Sequence, residues 1–148
     1  MAGELLSLTV ANELAAIPRV AAELEAFCLG HGISHRDLNR FNLALEEVLT
    51  NVISYGFPAG GRHDIEVQIA WRPHGPNDGA LQATVSDDGV PFDPLAAIPP
   101  DLGGPVEQRK VGGLGIHLLR ALTDAIDYRR NGGRNVLSFR LRVGERRF

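Results

Sequence analysis

Glu47-Val48-Leu49-Thr50-Asn51 places a carboxylate and a carboxamide four residues apart, within a segment of helical periodicity. Residues four apart lie on one face of a helix, with about 5–6 Å between their Cβ atoms, so the two side chains can share a metal or a transferring group. The apolar stripe of this helix, with Ser34 as the expected N-cap, is formed by Leu38, Phe41, Leu45, Val48, Leu49 and Val52. We expect Glu47 and Asn51 roughly opposite that stripe, on a face that in most helices is merely solvated.

Two later segments carry residue types that suit a nucleotide. Asp87-Asp88-Gly89-Val90-Pro91-Phe92-Asp93-Pro94 follows a predicted strand, and Gly112-Gly113-Leu114-Gly115 opens a predicted helix. An Asp-x-Gly at a strand end lets a carboxylate face a ligand where the backbone passes close by. Glycines that lead into a helix expose N–H groups and the positive end of the helix dipole, which favour phosphate. Together with the helix of Glu47, these segments indicate one nucleotide pocket.

The pattern of apolar residues outlines the rest of the chain. Alternation predicts strands at residues 5–10, 65–71 and 81–85, the last two as an antiparallel pair joined by a loop at 73–79. A helix is expected after the strand at residues 5–10, and it is either capped by Asn12 or begins near Pro18. A further helix at 113–123 precedes a hairpin of residues 127–130 and 135–143 around Asn131-Gly132-Gly133-Arg134. Strands with helices on one side give an α/β sandwich of two layers.

Composition restricts the class of protein. With 148 residues and 44 % apolar content, the chain is expected to be one domain, residues 1–148. A net charge of −3 does not favour nucleic acid, which calls for a basic surface. Arginines nevertheless crowd the C-terminal end, either as the outer face of an edge hairpin or as a docking surface for an acidic protein. They are Arg129, Arg130, Arg134, Arg140, Arg142, Arg146 and Arg147.

Cysteine use and the N-terminus bear on location. Cys28 is the only cysteine, so no intrachain disulfide forms and a reducing compartment fits. The first residues lack the basic stretch of a signal peptide, and no apolar run approaches the length of a membrane span. We therefore expect a soluble cytoplasmic protein with no membrane partner.

At its three motif segments the chain resembles the ATPase fold shared by sensor histidine kinases, gyrase B subunits, mismatch-repair ATPases and the large heat-shock chaperone. The helix of Glu47 and Asn51 is similar to that superfamily's N box, Asp87-x-Gly89 to its G1 box, and Gly113-x-Gly115 to its G2 box. Residues 44–57, 85–94 and 112–128 carry a closer similarity, to the anti-sigma factor serine/threonine kinases of bacterial partner-switching systems. The resemblance implies an α+β fold with a mixed, mostly antiparallel sheet and helices on one face, the Bergerat fold.

The resemblance implies ATP and Mg²⁺ as ligands of the N box. Glu47 is the implied general base, which activates the hydroxyl that attacks the phosphate. Its neighbour Glu46 is the competing carboxylate, but successive side chains on a helix point about 100° apart, and the spacing to Asn51 selects Glu47. Asn51 is the implied magnesium ligand, since an amide oxygen suits a hard cation that also takes phosphate oxygens.

The G1 segment is expected to receive the base. Asp87 can accept a hydrogen bond from the exocyclic amine of adenine, with Asp88 as the less well spaced alternative. Gly89 lets the backbone approach the base. The family pattern commonly has a second glycine where this chain has Pro91, which bears on how the following segment hinges.

Residues 94–111 contain prolines and glycines without sustained periodicity, and such a long stretch inside a compact domain is usually functional or disordered. By resemblance it is an ATP lid, in which Lys110, with Arg109, reaches the γ-phosphate. Gly113 and Gly115 form the implied phosphate-side loop, while His117 is expected to be an ordinary helix residue. Ser138 occupies roughly the place of a hydroxyl residue that supports adenine binding.

The resemblance implies a protein serine/threonine kinase that is also an anti-sigma factor. It holds a sigma factor inactive, phosphorylates an anti-anti-sigma antagonist and forms a homodimer. A regulatory module that uses ATP only to set its conformation and sequester a partner is the alternative, although binding alone needs no base such as Glu47. The ATPase domain of a histidine kinase is disfavoured, since no dimerising helical hairpin with a phospho-accepting His precedes the domain.

Overall fold

The computed structural model describes residues 4–75, 78–93 and 111–144; for residues 111–116 it describes the backbone alone. Residues 94–110 of the expected lid, with Arg109 and Lys110, lie outside this range. The strands are β1 (Glu4–Ala11), β2 (Asp64–Gly75), β3 (Asp78–Asp87), β4 (Ala125–Asn131) and β5 (Arg134–Gly144). The helices are a 3₁₀ turn (Leu14–Ala16), α1 (Ile17–Gly30), α2 (His35–Tyr55) and α3 (Val111–Leu122).

The strands form one sheet in the order β1-β2-β3-β5-β4. Each neighbouring pair is antiparallel, so the sheet expected as mixed and mostly antiparallel is antiparallel throughout its described strands. Along β2 buried Ile65, Val67 and Ile69 alternate with exposed residues, which is the pattern of a sheet covered on one face. The helices cover that face, which confirms the two-layer α+β sandwich.

Helix α2 is the centre of the core. Its predicted stripe is buried from Leu38 to Leu49, and Phe41 packs on Phe139 of β5 with ring centroids 5.1 Å apart. Full burial of one such side chain contributes about 1.5–3 kcal/mol. Ser34 caps the helix as predicted, because its Oγ accepts from the backbone N–H of Asp37 at 3.2 Å. The helix that carries Glu47 and Asn51 is therefore fixed by its apolar side and by its N-terminus.

Of the two predicted starts of the first helix, an Asn12 cap or a start near Pro18, the structure shows the second. Asn12 does not cap a helix, because its side chain bonds to the loop before β2 instead: Nδ2 donates to the carbonyl of Gly61 and Oδ1 accepts from the N–H of His63. Helix α1 begins at Ile17, with Pro18 in the first turn, where its missing N–H is not needed. The helix start near Pro18 is thus confirmed, and the Asn12 cap is wrong.

The C-terminal half follows the prediction with small shifts. The β4–β5 hairpin turns at Gly132 and Gly133, both at positive φ (57° and 79°), which tight hairpin turns require. Helix α3 begins at Val111, two residues earlier than expected, so Gly113 and Gly115 belong to its first turns. Among the described residues no helix is long and apolar enough to cross a membrane.

Candidate nucleotide site

A pocket lies between α2, α3 and the helix-covered face of the sheet. Its empty space, including the open mouth, is about 430 Å³. The wall combines apolar side chains with a few polar groups, as small-molecule sites usually do. It is lined by Val48, Asn51, Val52, Gly56, Val85, Asp87, Phe92, Leu119, Tyr128, Asn135 and Leu137.

The structure brings Glu47 and Asn51 together on α2. Interaction with the Asn51 carboxamide lowers the pKa of Glu47, but two larger effects raise it. Partial burial disfavours the charged form, and the negative charge of Glu46 adds to this. The net result is a pKa above the usual value of 4.5, so Glu47 is a stronger base than an exposed glutamate.

The helical wheel predicts a solvated position for Asn51, but the structure buries this residue. Its exposed fraction is 4 %, and it lines the pocket beside Val48 and Val52. The expectation failed because α3 packs along α2 and extends the covered part of the helix beyond the apolar stripe. Glu47, one turn earlier, is only half-buried and remains at the edge.

The geometry of Asn51 fits a magnesium ligand. Its carboxamide interacts with Glu47, and within residues 4–75, 78–93 and 111–144 no donor reaches its Oδ1. A buried amide oxygen without a donor is disfavoured unless a ligand or water meets it. Mg²⁺ is held by one or two protein oxygens together with phosphate oxygens and waters, so a single amide oxygen here is sufficient.

Asp87 is at the bottom of the pocket, where its exposed fraction is 2 %. Its Oδ1 accepts from the backbone N–H of Gly89 at 2.8 Å and from Nδ2 of Asn135 at 3.1 Å. Both bonds use the same oxygen, which leaves Oδ2 for a donor such as an amino group of a base. The alternative carboxylate, Asp88, is half-exposed outside the pocket, where it faces His63.

Gly89 lies against the backbone at the end of α2. A Cβ at this position would be 2.4 Å from the carbonyl oxygen of Gly56 and 2.8 Å from Oδ1 of Asp87. The next residue completes the contact, because the N–H of Val90 donates to the same Gly56 carbonyl at 2.9 Å. Only glycine permits this approach, which joins the strand end of Asp87 to the helix of Asn51.

Asn135 and Tyr128 belong to the site but were not predicted from the sequence. The Asn135 amide is fully used: Nδ2 donates to Asp87 and to the carbonyl of Val90, and Oδ1 accepts from Tyr128 and from the N–H of Phe92. A signal was present, because Asn135 precedes buried Leu137, Phe139, Leu141 and Val143 at every second position of β5. A polar residue at an inward position of a strand indicates a buried hydrogen-bonding role.

Ser138 is not brought to the pocket. It lies between Leu137 and Phe139, which face the helices, so the alternation of β5 directs it to the opposite face of the sheet. The polar residue that β5 contributes to the pocket is Asn135 instead. The assignment of Ser138 to the site is therefore corrected.

The remaining predicted residues are placed only in part. The backbones of Gly113 and Gly115 lie in the first turns of α3, whose Leu119 lines the pocket. His117 is exposed on α3, as an ordinary helix residue would be. At the opposite side of the mouth, Tyr55 stacks on Phe92 with centroids 5.8 Å apart. Lys110 lies outside the described residues.

Comparison with known proteins gives a family match. The family model of the histidine kinase-like ATPase domain matches residues 10–141. The chain is 30 % identical over 101 residues to the serine/threonine-protein kinase BtrW of Bordetella bronchiseptica, which covers 67 % of this chain and 68 % of that protein. It is 29 % identical over 111 residues to the serine-protein kinase RsbW of Bacillus thuringiensis, covering 72 % of this chain and 65 % of that one.

A solved structure shows the same fold. The RsbU and RsbW domains of Rv1364c from Mycobacterium tuberculosis align with 97 % of this chain at a TM-score of 0.64 and 18 % identity. This chain corresponds to 33 % of that larger protein. The chain also spans only about two thirds of the length of the two kinases it matches.

Proposed function

Since this chain belongs to the histidine kinase-like ATPase family, we propose that it is an ATP- and Mg²⁺-dependent protein serine/threonine kinase that also acts as an anti-sigma factor. In this proposal it works in the cytoplasm as a homodimer, holds a sigma factor inactive, and phosphorylates an anti-anti-sigma antagonist. The names of its relatives, serine- and serine/threonine-protein kinases, support the reaction. The similarity of residues 44–57, 85–94 and 112–128 to anti-sigma factor kinases supports the partners.

The placement of Glu47 one helical turn before buried, pocket-lining Asn51 is the observation that carries the proposal. Phosphoryl transfer depends on positioning and charge neutralisation, which Mg²⁺ supplies between the phosphates. Glu47 accepts the proton of the acceptor hydroxyl while that oxygen bonds to the γ-phosphorus and ADP leaves. Its raised pKa makes it better suited to hold that proton.

The other pocket residues have binding roles in this proposal. Oδ2 of Asp87 accepts from the exocyclic amine of adenine, while Gly89 and Asn135 hold Asp87 in place. The first turns of α3, with Gly113 and Gly115, receive the phosphates at a helix N-terminus. Residues 1–148 form one domain whose lid, at about 94–111, brings Lys110 to the γ-phosphate.

Phosphotransfer from radiolabelled ATP to candidate antagonist proteins tests the reaction. We expect Glu47→Gln to transfer phosphate at least about 10²-fold more slowly, with ATP affinity within a few-fold, because the amide keeps the shape but cannot take a proton. Glu46→Gln is the matched control, since it removes the exposed neighbouring carboxylate and leaves the Asn51 contact. We expect its rate to stay within a few-fold of the native one.

The same assay decides between the kinase and the alternative function. If the native protein captures its partner in an ATP-dependent way but transfers no phosphate, the chain is a nucleotide-gated binding module. Equal losses of rate and ATP affinity in Glu47→Gln would show that Glu47 binds rather than catalyses.

A further inference from the structure

The loop between α2 and β2 is joined to the base-binding segment by a second contact besides the Gly56–Val90 hydrogen bond. Nδ1 of His63 lies 3.0 Å from Oδ1 of Asp88. Asp88 stands between Asp87, which is directed into the pocket, and Gly89, which packs against Gly56. Because Asp88 is bonded directly to both residues, a contact that fixes the Asp88 side chain also restrains the backbone of Asp87 and Gly89.

His63 is itself firmly held. Its N–H donates to Oδ1 of Asn12 at 2.9 Å, and its carbonyl accepts from the Asn12 N–H at 3.0 Å. Its ring stacks on Phe57 with centroids 4.6 Å apart and planes at 23°. The imidazole is thus a fixed point on the loop, whereas Asp88 belongs to a short connection that leaves the sheet after Asp87.

We propose that His63 is a positioning residue which, through Asp88, holds the Asp87–Gly89 segment in the conformation that receives the base, and that protonation of His63 strengthens this hold. The effect on nucleotide binding rests on the proposed function; the effect on the segment itself does not. Histidine changes its charge between pH 5 and 8, and a hydrogen bond between two charged groups is stronger than one in which the imidazole is neutral.

The charged groups around His63 come from four parts of the fold. The groove beside the ring is lined by Arg62, Asp64, Glu66, Asp88 and Arg134. Arg134 already donates to Oγ of Ser86 and lies 3.8 Å from Glu66, so neither of these charges is directed only at the ring. Asp88 is the group in hydrogen-bonding distance, and its partial exposure limits the pair to the range of surface ion pairs.

The first test follows the ligand-free protein by NMR between pH 5.5 and 8.5. We expect the backbone amide resonances of Gly89 and Val90 to shift with the same midpoint as the His63 ring. In His63→Gln and Asp88→Asn these shifts disappear, while in His74→Gln, which removes an exposed histidine near the end of β2, they remain. The proposal is overturned if the Gly89 and Val90 amide resonances do not shift with the midpoint of the His63 ring, or if their pH dependence is the same in His63→Gln as in the native protein.

The second test measures the affinity for Mg-ADP by calorimetry at pH 6 and pH 8. Dividing the dissociation constant of each variant by that of the native protein at the same pH removes the effect of the titration of ADP itself. We expect the native protein to bind Mg-ADP about two- to fivefold more tightly than His63→Gln and Asp88→Asn at pH 6, and we expect a smaller difference at pH 8. Equal ratios at both pH values would overturn the link to binding. Absence of ADP binding by the native protein would instead contradict the proposed function, while the NMR result would still decide whether His63 positions the Asp87–Gly89 segment through Asp88.

Discussion

Replacing Gly89 by alanine tests the closest contact of the site. The added Cβ would lie 2.4 Å from the Gly56 carbonyl oxygen and 2.8 Å from Oδ1 of Asp87, about 1 Å inside ordinary contact for the first. Both neighbours are stiff, because one is backbone at the end of α2 and the other is a buried carboxylate with two hydrogen bonds. The segment must move outward, which breaks the Val90–Gly56 bond. Overpacking of this kind costs about 1–3 kcal/mol.

We expect Gly89→Ala to lower the free energy of unfolding by that amount in urea denaturation, and to weaken Mg-ATP in calorimetry at least about tenfold, because Asp87 is displaced. Gly30→Ala is the matched control: no atom lies within 4 Å of its added Cβ, and its φ is not positive. At the end of α1 this change is expected to be neutral or to stabilise by up to about 1 kcal/mol. Gly89→Ala with unchanged unfolding and unchanged ATP affinity would refute the reasoning.

Four further changes give distinct results. Asn51→Ala should abolish Mg²⁺-dependent ATP binding in calorimetry; unchanged affinity in magnesium would contradict the ligand role. Asp87→Asn should weaken ATP and ADP alike by about 1.5–3 kcal/mol, and GTP should compete poorly with ATP on the native protein. Asn135→Ala should weaken both nucleotides and expose the segment after Asp87 to faster hydrogen exchange, since four hydrogen bonds are lost. The phosphotransfer rate should rise with pH as Glu47 ionises, above the usual range for a glutamate, and Glu46→Gln should move that rise to lower pH by removing the neighbouring charge.

The sequence was most informative where a local pattern and its packing agree. The stripe and the Ser34 cap predicted α2, and Gly132-Gly133 predicted the β4–β5 hairpin, because capping and positive φ are local requirements. Asn12 shows the opposite case, since its side chain forms long-range bonds to the loop before β2 instead of a local cap. A polar residue that is suited to two roles takes the one decided by tertiary structure, which a single sequence does not contain.

The candidate site was predicted in the same uneven way. Asn51 and Asp87 line one pocket, with Glu47 one helical turn from Asn51 and Gly89 bonded to Asp87, but the burial of Asn51 depends on α3, which is distant in sequence. The error at Ser138 has a simple cause: the period of a strand is two, so a shift by an odd number of residues moves a side chain to the other face. The partner of Asp87 follows from the strand register, in which Asp87 is opposite Asn135 and Ser138 is opposite Thr84.

The distribution of buried polar side chains is a further argument that the pocket is a binding site. Within the described part of the chain, four polar or charged residues are buried: Asp37, Asn51, Asp87 and Asn135. Asp37 has a structural role, because it accepts from the N–H of Gly144 at 3.0 Å and ties α2 to the end of β5. The other three line one pocket. Burial of a polar group without a partner costs about 1–3 kcal/mol, and the described residues leave Oδ1 of Asn51 and Oδ2 of Asp87 without a donor. These two oxygens line the same pocket, one on α2 and one at the end of β3, as expected for a ligand that offers both a cation and an amino group.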